Sequence, residues 1–261
     1  MSLVVLDPDG RHAADYPAWL SDAGLPLRLV TGTPVDHPGY AEIRVVERYE
    51  RSAEAERAVL DLASRCQVSA LVALAPGDQL RAGGLRDHLG LLGQGRAAAL
   101  PLADAMEAQA VLLAAGVPVA RRAAVRRVSD LYWWAHKWGY PLAVRPRRGD
   151  RRAVLAELGD RAALRAFAAG PVLPEDPGLV PSLTVEPLAE PAPAPACLAA
   201  AVEAALPVDA GHPYSVTAVR SGENWLVHDV RYDPAAHSAR ALARAQAGLA
   251  PVPARSEAEE S

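Results

Sequence analysis

The chain has 261 residues, 51% of them hydrophobic, and a formal charge of −4. That is ample for one large core or several small ones, and the acidic balance excludes a global pull toward nucleic acid or an anionic membrane. The start, MSLVVLDPDG, lacks a basic region and a small-residue cleavage site, and no apolar run is long enough to span a bilayer, so a soluble cytoplasmic protein is expected. In chain order, LVVLD (Leu3 to Asp7), LRLVT (Leu27 to Thr31), IRVVE (Ile43 to Glu47) and ALVALAP (Ala70 to Pro76) read as short strands. Helical patterns lie between them, at Tyr16 to Ala23 and at Ser52 to Arg65. Strands alternating with helices predict a mainly parallel sheet covered on both faces, a Rossmann-like half-domain over about 1–100. The dinucleotide signature GxGxxG is absent.

From Leu85 the pattern changes. A helix is expected over about Leu102 to Ala115, ended by Gly116 and Pro118. AAVRRV reads as a strand from Ala123, and Ser129 or Asp130 can cap the next helix, LYWWAHKW. PLAVRP then returns as a strand, AVLAEL answers it as in a hairpin, and Asp160 caps a helix to about Ala169. Gly170 to Pro181 and Pro187 to Pro195 are proline-rich and read as loops, the second as a linker or insertion. SLTVEPL lies between them as a strand, and Ala196 to Leu206 is helical. YSVTAVR and NWLVHDVRY form a hairpin, Ala235 to Leu249 is a final helix, and RSEAEES is a solvated tail. The expected division is 1–100, 101–170, 171–250, and a disordered 251–261.

The stretch Leu85 to Gly149 resembles ATP-grasp proteins of the carboxylate-amine ligase and biotin-carboxylase type. The likeness is one of order and spacing: LGLLG, a helix opening at Asp104, AGVPV, a helix ending in GYP, and a strand ending in RP before a glycine-containing turn. The resemblance implies an α/β protein with a Rossmann-like domain followed by a reduced α+β ATP-grasp domain, binding ATP and Mg²⁺. It also implies two phosphate-binding lysines. Here the first position reads Asp104-Ala105 and the second is Arg145. Lys137 is the one lysine in the chain, against 26 arginines. The Ala, Arg, Gly and Pro usage is that of a GC-rich bacterial genome, yet arginine is a planar fork where lysine is a point charge, so the exchange is not neutral at a phosphate.

The same resemblance assigns candidate roles. Arg145 and Arg231 are the catalytic candidates; Arg145, Arg147, Arg148, Gly149 and Glu186 are candidate nucleotide contacts; Asp229 and Asp233 are candidate Mg²⁺ ligands. The family's metal strand, roughly E-x-N-x-R, is matched by WLVHDVRYD, with Asp229 at the glutamate and Arg231 at the asparagine. A cation there repels Mg²⁺. In the loop RRGDRRAV only Gly149 offers the close backbone approach that a phosphate cradle needs; Arg151 and Arg152 add charge alone.

From Arg121 to Arg165 twelve basic residues face four acidic ones, which suits either a solvated face or an anion site. Trp133, Trp134 and Lys137 read as a helix packing its aromatic face on a sheet, since no nucleic-acid module signature is present. His212, His228 and His237 follow no zinc spacing, and Cys66 and Cys197 read as buried thiols. GxSxG, HExxH and GxxxxGK[ST] are all missing. The functional expectation is a divergent ATP-grasp-like protein, a pseudoenzyme with weakened or lost ATP chemistry. It would be an accessory or regulatory subunit beside a full-length ligase or other biosynthetic partner, or a binder of a nucleotide or small anion, with a homodimer as a further expectation. The alternatives are an active ligase that forms a C–N bond through an acyl phosphate, and a non-nucleotide binding module.

Overall fold

The computed structural model describes residues 1–50, 52–148, 153–170, 183–206, 209 and 211–250. The first half of the chain holds β1 (Ser2–Asp7), α1 (Tyr16–Trp19), β2 (Leu27–Thr31), β3 (Glu42–Val45), α2 (Glu54–Arg65), β4 (Val68–Ala73), α3 (Gln79–Leu89), α4 (Arg96–Ala103), α5 (Ala105–Ala114), β5 (Ala123–Val125) and α6 (Val128–Trp138). There follow β6 (Leu142–Pro146), β7 (Ala156–Leu158), α7 (Arg161–Ala168), β8 (Leu183–Pro187), β9 (Ala192–Pro193), α8 (Ala196–Ala205), β10 (Tyr214–Ser221), β11 (Asn224–Tyr232) and α9 (Ala239–Gln246). Two compact units result. One holds Met1–Ala99, Val208–Pro213 and Tyr232–Ser261; the other holds Leu100–Pro207 and Tyr214–Arg231.

In the first unit the sheet order is β3-β2-β1-β4, parallel throughout. Parallel strands are covered on both faces and so read as continuous apolar runs, which is why β1 is buried along its whole length. Leu3, Val5, Leu29 and Val72 face Tyr16 and the α9 residues Leu242 and Ala243. Val4, Leu6, Val30 and Leu71 face Val59 and Leu62 of α2 and Ala82 and Leu85 of α3. The helix that closes one face of the N-terminal sheet therefore comes from the end of the chain. The expected C-terminal lobe, 171–250, is divided for that reason, because the apolar side of α9 finds its cover on β1 and β4.

A buried guanidinium ties this unit together. Arg86, on α3, is 1% exposed and donates to the carbonyls of Leu71 (2.9 Å) and Gln94 (3.1 Å) and to Gln246 Oε1 (3.2 Å). Burial draws its pKa down to about 10, so it stays charged at neutral pH. Gln246 completes the network: its Oε1 also accepts from Ala73 N (2.8 Å) and its Nε2 donates to the Gly211 carbonyl (2.9 Å).

In the second unit an antiparallel sheet has the order β5-β8-β6-β7. Its residues alternate strictly, as one-sided sheets do. Val125, Leu142, Val144, Leu158, Leu183 and Val185 pack on Leu131 and Ala135 of α6 and Leu164 of α7. The intervening residues Ala143, Arg145, Thr184 and Glu186 belong to the opposite face. A three-stranded sheet, β11-β10-β9, completes the unit. The expected hairpins β6–β7 and β10–β11 both form, and Asp160 caps α7 by accepting from Ala163 N.

Several local expectations are corrected. The helix expected over Leu102 to Ala115 is interrupted at Asp104, whose extended backbone lets its side chain cap α5 by accepting from Met106 N (3.0 Å) and Glu107 N (3.4 Å). Asp130 sits in the first turn of α6, accepting from the amides of Arg126 and Arg127, and the N-cap is Arg127. Trp133 is 59% exposed and does not pack on the sheet. The expected linker at 187–195 contains β9, which pairs with β10. Cys66 is half-buried and Cys197 exposed. The tail at 251–261, Gly149 to Arg152 and most of the first proline-rich loop lie outside the described residues. No helix among the described residues is long and apolar enough to cross a membrane.

Gln246→Ala leaves the buried Ala73 amide without its acceptor, and urea denaturation is expected to show a loss of about 1–3 kcal/mol. A variant as stable as the parent would show that α9 is held by its apolar contacts alone.

Candidate functional site

The register of the antiparallel sheet assembles the first part of the site. Pairing of Ala123 with Val185 and of Ala143 with Glu186 brings Arg122, just before β5, and Arg145 on β6 to either side of Glu186 on β8. The Glu186 carboxylate is 2% exposed and three groups converge on it. Arg122 approaches Oε2 through Nε (2.8 Å) and Nη2 (2.7 Å), Arg145 Nε donates to Oε1 (2.6 Å), and His228 Nε2 lies 2.9 Å from Oε1. Burial by itself would raise the carboxyl pKa, but the His228 hydrogen bond and the Arg122 charge outweigh it and hold the group at about 2. Glu186 is thus an anion at neutral pH, and Nε2 of His228 is the donor in their bond. Arg122 Nη1 also lies 3.7 Å from Asp229 Oδ1, and Arg231 Nη1 donates to Asp229 Oδ2 at 3.4 Å.

The second part is built on the break between α4 and α5. The same Asp104 that caps α5 is fully buried and accepts from Arg147 Nε and Arg148 Nε, each at 2.7 Å. Arg147 Nη2 reaches Glu107 at 3.4 Å, and the Ala105 amide donates to the Arg147 carbonyl at 3.1 Å. Burial again pushes the Asp104 carboxyl up, and the two guanidinium hydrogen bonds more than reverse it. The entry to the arginine loop after β6 is therefore fixed to the start of α5 by charge-assisted bonds.

Of the residues singled out from the sequence, Arg145 and Glu186 are in direct contact, and Arg147 and Arg148 share one carboxylate. Arg231 is bonded to Asp229, and Gly149 lies outside the described residues. Asp233 belongs to the other unit, where it caps the turn at Pro234–Ala236 by accepting from Ala235 N. Three participants were missed as members of this cluster. Arg122 shows its place only through the strand register, His228 was set aside because the histidines follow no zinc spacing, and Glu107 carried no signal beyond its position one helical turn after a capping aspartate.

What this arrangement can do is limited by charge. Arg122, Arg145, Arg147, Arg148 and Arg231 are each paired with Glu186, Asp229, Asp104 or Glu107. No group of three or more His, Cys, Asp or Glu able to hold a metal ion is found among the described residues. The Asp229 carboxylate faces two guanidinium groups, so the described residues do not fit a Mg²⁺ ion.

No protein-family model and no curated protein matches the sequence. Solved structures do. The biotin carboxylase domain of the Hydrogenobacter thermophilus 2-oxoglutarate carboxylase, a dimer in complex with MgADP and bicarbonate, is 11% identical with a TM-score of 0.68, covering 97% of this chain and 70% of that one. The L-amino acid ligase of Bacillus licheniformis is 12% identical with a TM-score of 0.64, covering 90% and 68%. The RimK domain ATP-grasp protein of Sphaerobacter thermophilus is 16% identical with a TM-score of 0.61, covering 95% and 97%.

The folded pKa of Glu186 lies below its ordinary value of 4.5, so the stability it contributes is present above that pH and is lost as pH falls toward about 2. The span corresponds to about 3 kcal/mol. Glu186→Gln is expected to be less stable than the parent at neutral pH, with the difference shrinking as pH falls through that window in denaturant titrations. A difference constant with pH would mean that Glu186 is not held ionised by its neighbours.

Proposed function

From the fold of the ATP-grasp enzymes, which these likenesses show the chain to have, we propose that it is a divergent member with weakened or lost ATP chemistry. It acts as an accessory or regulatory protein, or as an anion binder. The observation that carries the reading is the pairing of each arginine at the expected phosphate positions, Arg145, Arg147 and Arg148, with a carboxylate of the same chain. Phosphoryl transfer depends on positioning and on preorganised positive charge aimed at the phosphates. A guanidinium already hydrogen-bonded to a buried carboxylate must break that bond, and leave the carboxylate exposed to its own desolvation cost, before it can serve a nucleotide. The absence of the lysine at Ala105 and the cation at Arg231 act in the same direction.

The second reading, an active carboxylate-amine ligase, is favoured by the neighbours, one an amino acid ligase and another a domain complexed with MgADP. On that reading Arg145 and the loop arginines exchange their carboxylate partners for phosphate oxygens. An anion-binding role for this chain, and assembly with a copy of itself or with a full-length ligase, follow the same neighbours by analogy.

Thermal unfolding with and without millimolar Mg-ATP separates the readings. The parent is expected to melt at an unchanged temperature, whereas a nucleotide at a hundred times its Kd adds about 2.7 kcal/mol. Asp104→Asn keeps an N-cap side chain but removes the charge that holds Arg147 and Arg148, and it is expected to gain ATP affinity. Saturable ATP binding by the parent, with amine-dependent release of ADP, would overturn the proposal.

A further inference from the structure

A second feature of the same unit lies away from the Asp104 clamp. Gln109 on α5, Arg121 and Arg122 before β5, and Trp134, Lys137 and Trp138 on α6 line a cleft of 480 Å³. The i, i+4 spacing on α6 stacks the two indoles, with ring centroids 4.4 Å apart and planes at 28°. Lys137 Nζ stands 5.4 Å from the centre of the Trp134 ring. Among the described residues no acidic side chain lines the cleft, although the chain as a whole is acidic.

The charges here differ in kind from those around Glu186. Arg121 makes no hydrogen bond or ion pair with any described residue, and Lys137 has only its aromatic contact, so two exposed cations stand at the cleft without a counter-ion. Arg122 is anchored by Glu186 and fixes that end of the cleft. Gln109 Oε1 is buried with no hydrogen-bond partner among the described residues, which leaves an acceptor waiting for a donor. Flat aromatic walls, uncompensated cations and one orphaned acceptor in a volume of this size together specify a ligand.

We propose that this cleft binds a small aromatic acid: a flat ring against Trp134 and Trp138, its carboxylate or phosphate between Arg121 and Lys137, and a ring hydroxyl or amino group donating to Gln109. Planar guanidinium and ammonium donors both serve such an anion, and a ring stacked on indole adds affinity without needing further polar groups. The proposal does not depend on whether the Asp104 clamp accepts ATP.

Quenching of tryptophan fluorescence and calorimetry test it with three probes: 4-hydroxybenzoate as an aryl carboxylate, AMP as a heteroaromatic phosphate, and inorganic phosphate as an anion without a ring. Saturable binding of 4-hydroxybenzoate or AMP is expected, stronger than that of phosphate, and whichever binds identifies the acid group. Arg121→Glu and Lys137→Glu, both at exposed positions, should each weaken it by about tenfold or more while the melting temperature stays that of the parent. Asp104→Asn should leave it unchanged. Failure of both ring-bearing probes to saturate at millimolar concentration, or binding that survives both charge reversals, would overturn the proposal.

Discussion

The Glu186 carboxylate sets the terms for the second unit. A charge taken out of water must be paired and hydrogen-bonded or it neutralises, and Glu186 remains ionised because two guanidinium groups and an imidazole reach it from three separate segments. Those contacts are only available if β5, β6 and β8 keep one register. A slip of one residue would carry Arg145, Thr184 and Glu186 into the apolar layer beneath α6 and α7, and turn Val144 and Val185 out of it. The apolar face fixes the register, and the register delivers the ion cluster.

The same logic runs through the Asp104 clamp. Breaking one long helix into α4 and α5 places a carboxylate where it can both cap a helix and accept two arginines. A side chain that would otherwise serve only local capping becomes the anchor of the segment after β6. In the first unit Arg86 plays the corresponding part with no carboxylate at bonding distance among the described residues, relying on carbonyl and amide oxygens supplied by β4, the segment after α3, and α9. Buried arginine therefore organises both units, in the first by neutral acceptors and in the second by ion pairs.

Much of the architecture was legible because it rests on short-range patterns. Short apolar runs alternating with helical patterns announced the parallel sheet, PLAVRP and SLTVEPL read as the strands β6 and β8, and YSVTAVR with NWLVHDVRY read as the β10–β11 hairpin. The resemblance from Leu85 to Gly149 pointed to the fold that the solved structures share. What escaped was long-range. Nothing in ARRAAV says that Arg122 meets Glu186, sixty-four residues away. Nothing in the alanine-rich end of the chain says that Leu242 and Ala243 cover the first sheet. A propensity reading also ran one helix through Asp104, because the fit of its side chain to two distant arginines has no local signature.

Sequence alone determined the alternation of elements and the near-total replacement of lysine by arginine, and its resemblance to ATP-grasp proteins led to the expectation of basic side chains at phosphate positions. Only tertiary structure decided what those side chains do. Whether an arginine is open to a ligand or paired within the chain depends on carboxylates brought to it by strand register and helix breaks, and distance along the chain carries no record of either. That is why Arg145, Arg147 and Arg148 looked like phosphate ligands in the sequence and are bound to Glu186 and Asp104 in the folded protein, while Arg121 and Lys137, read as members of a basic stretch, stand without a counter-ion among the described residues beside the stacked indoles.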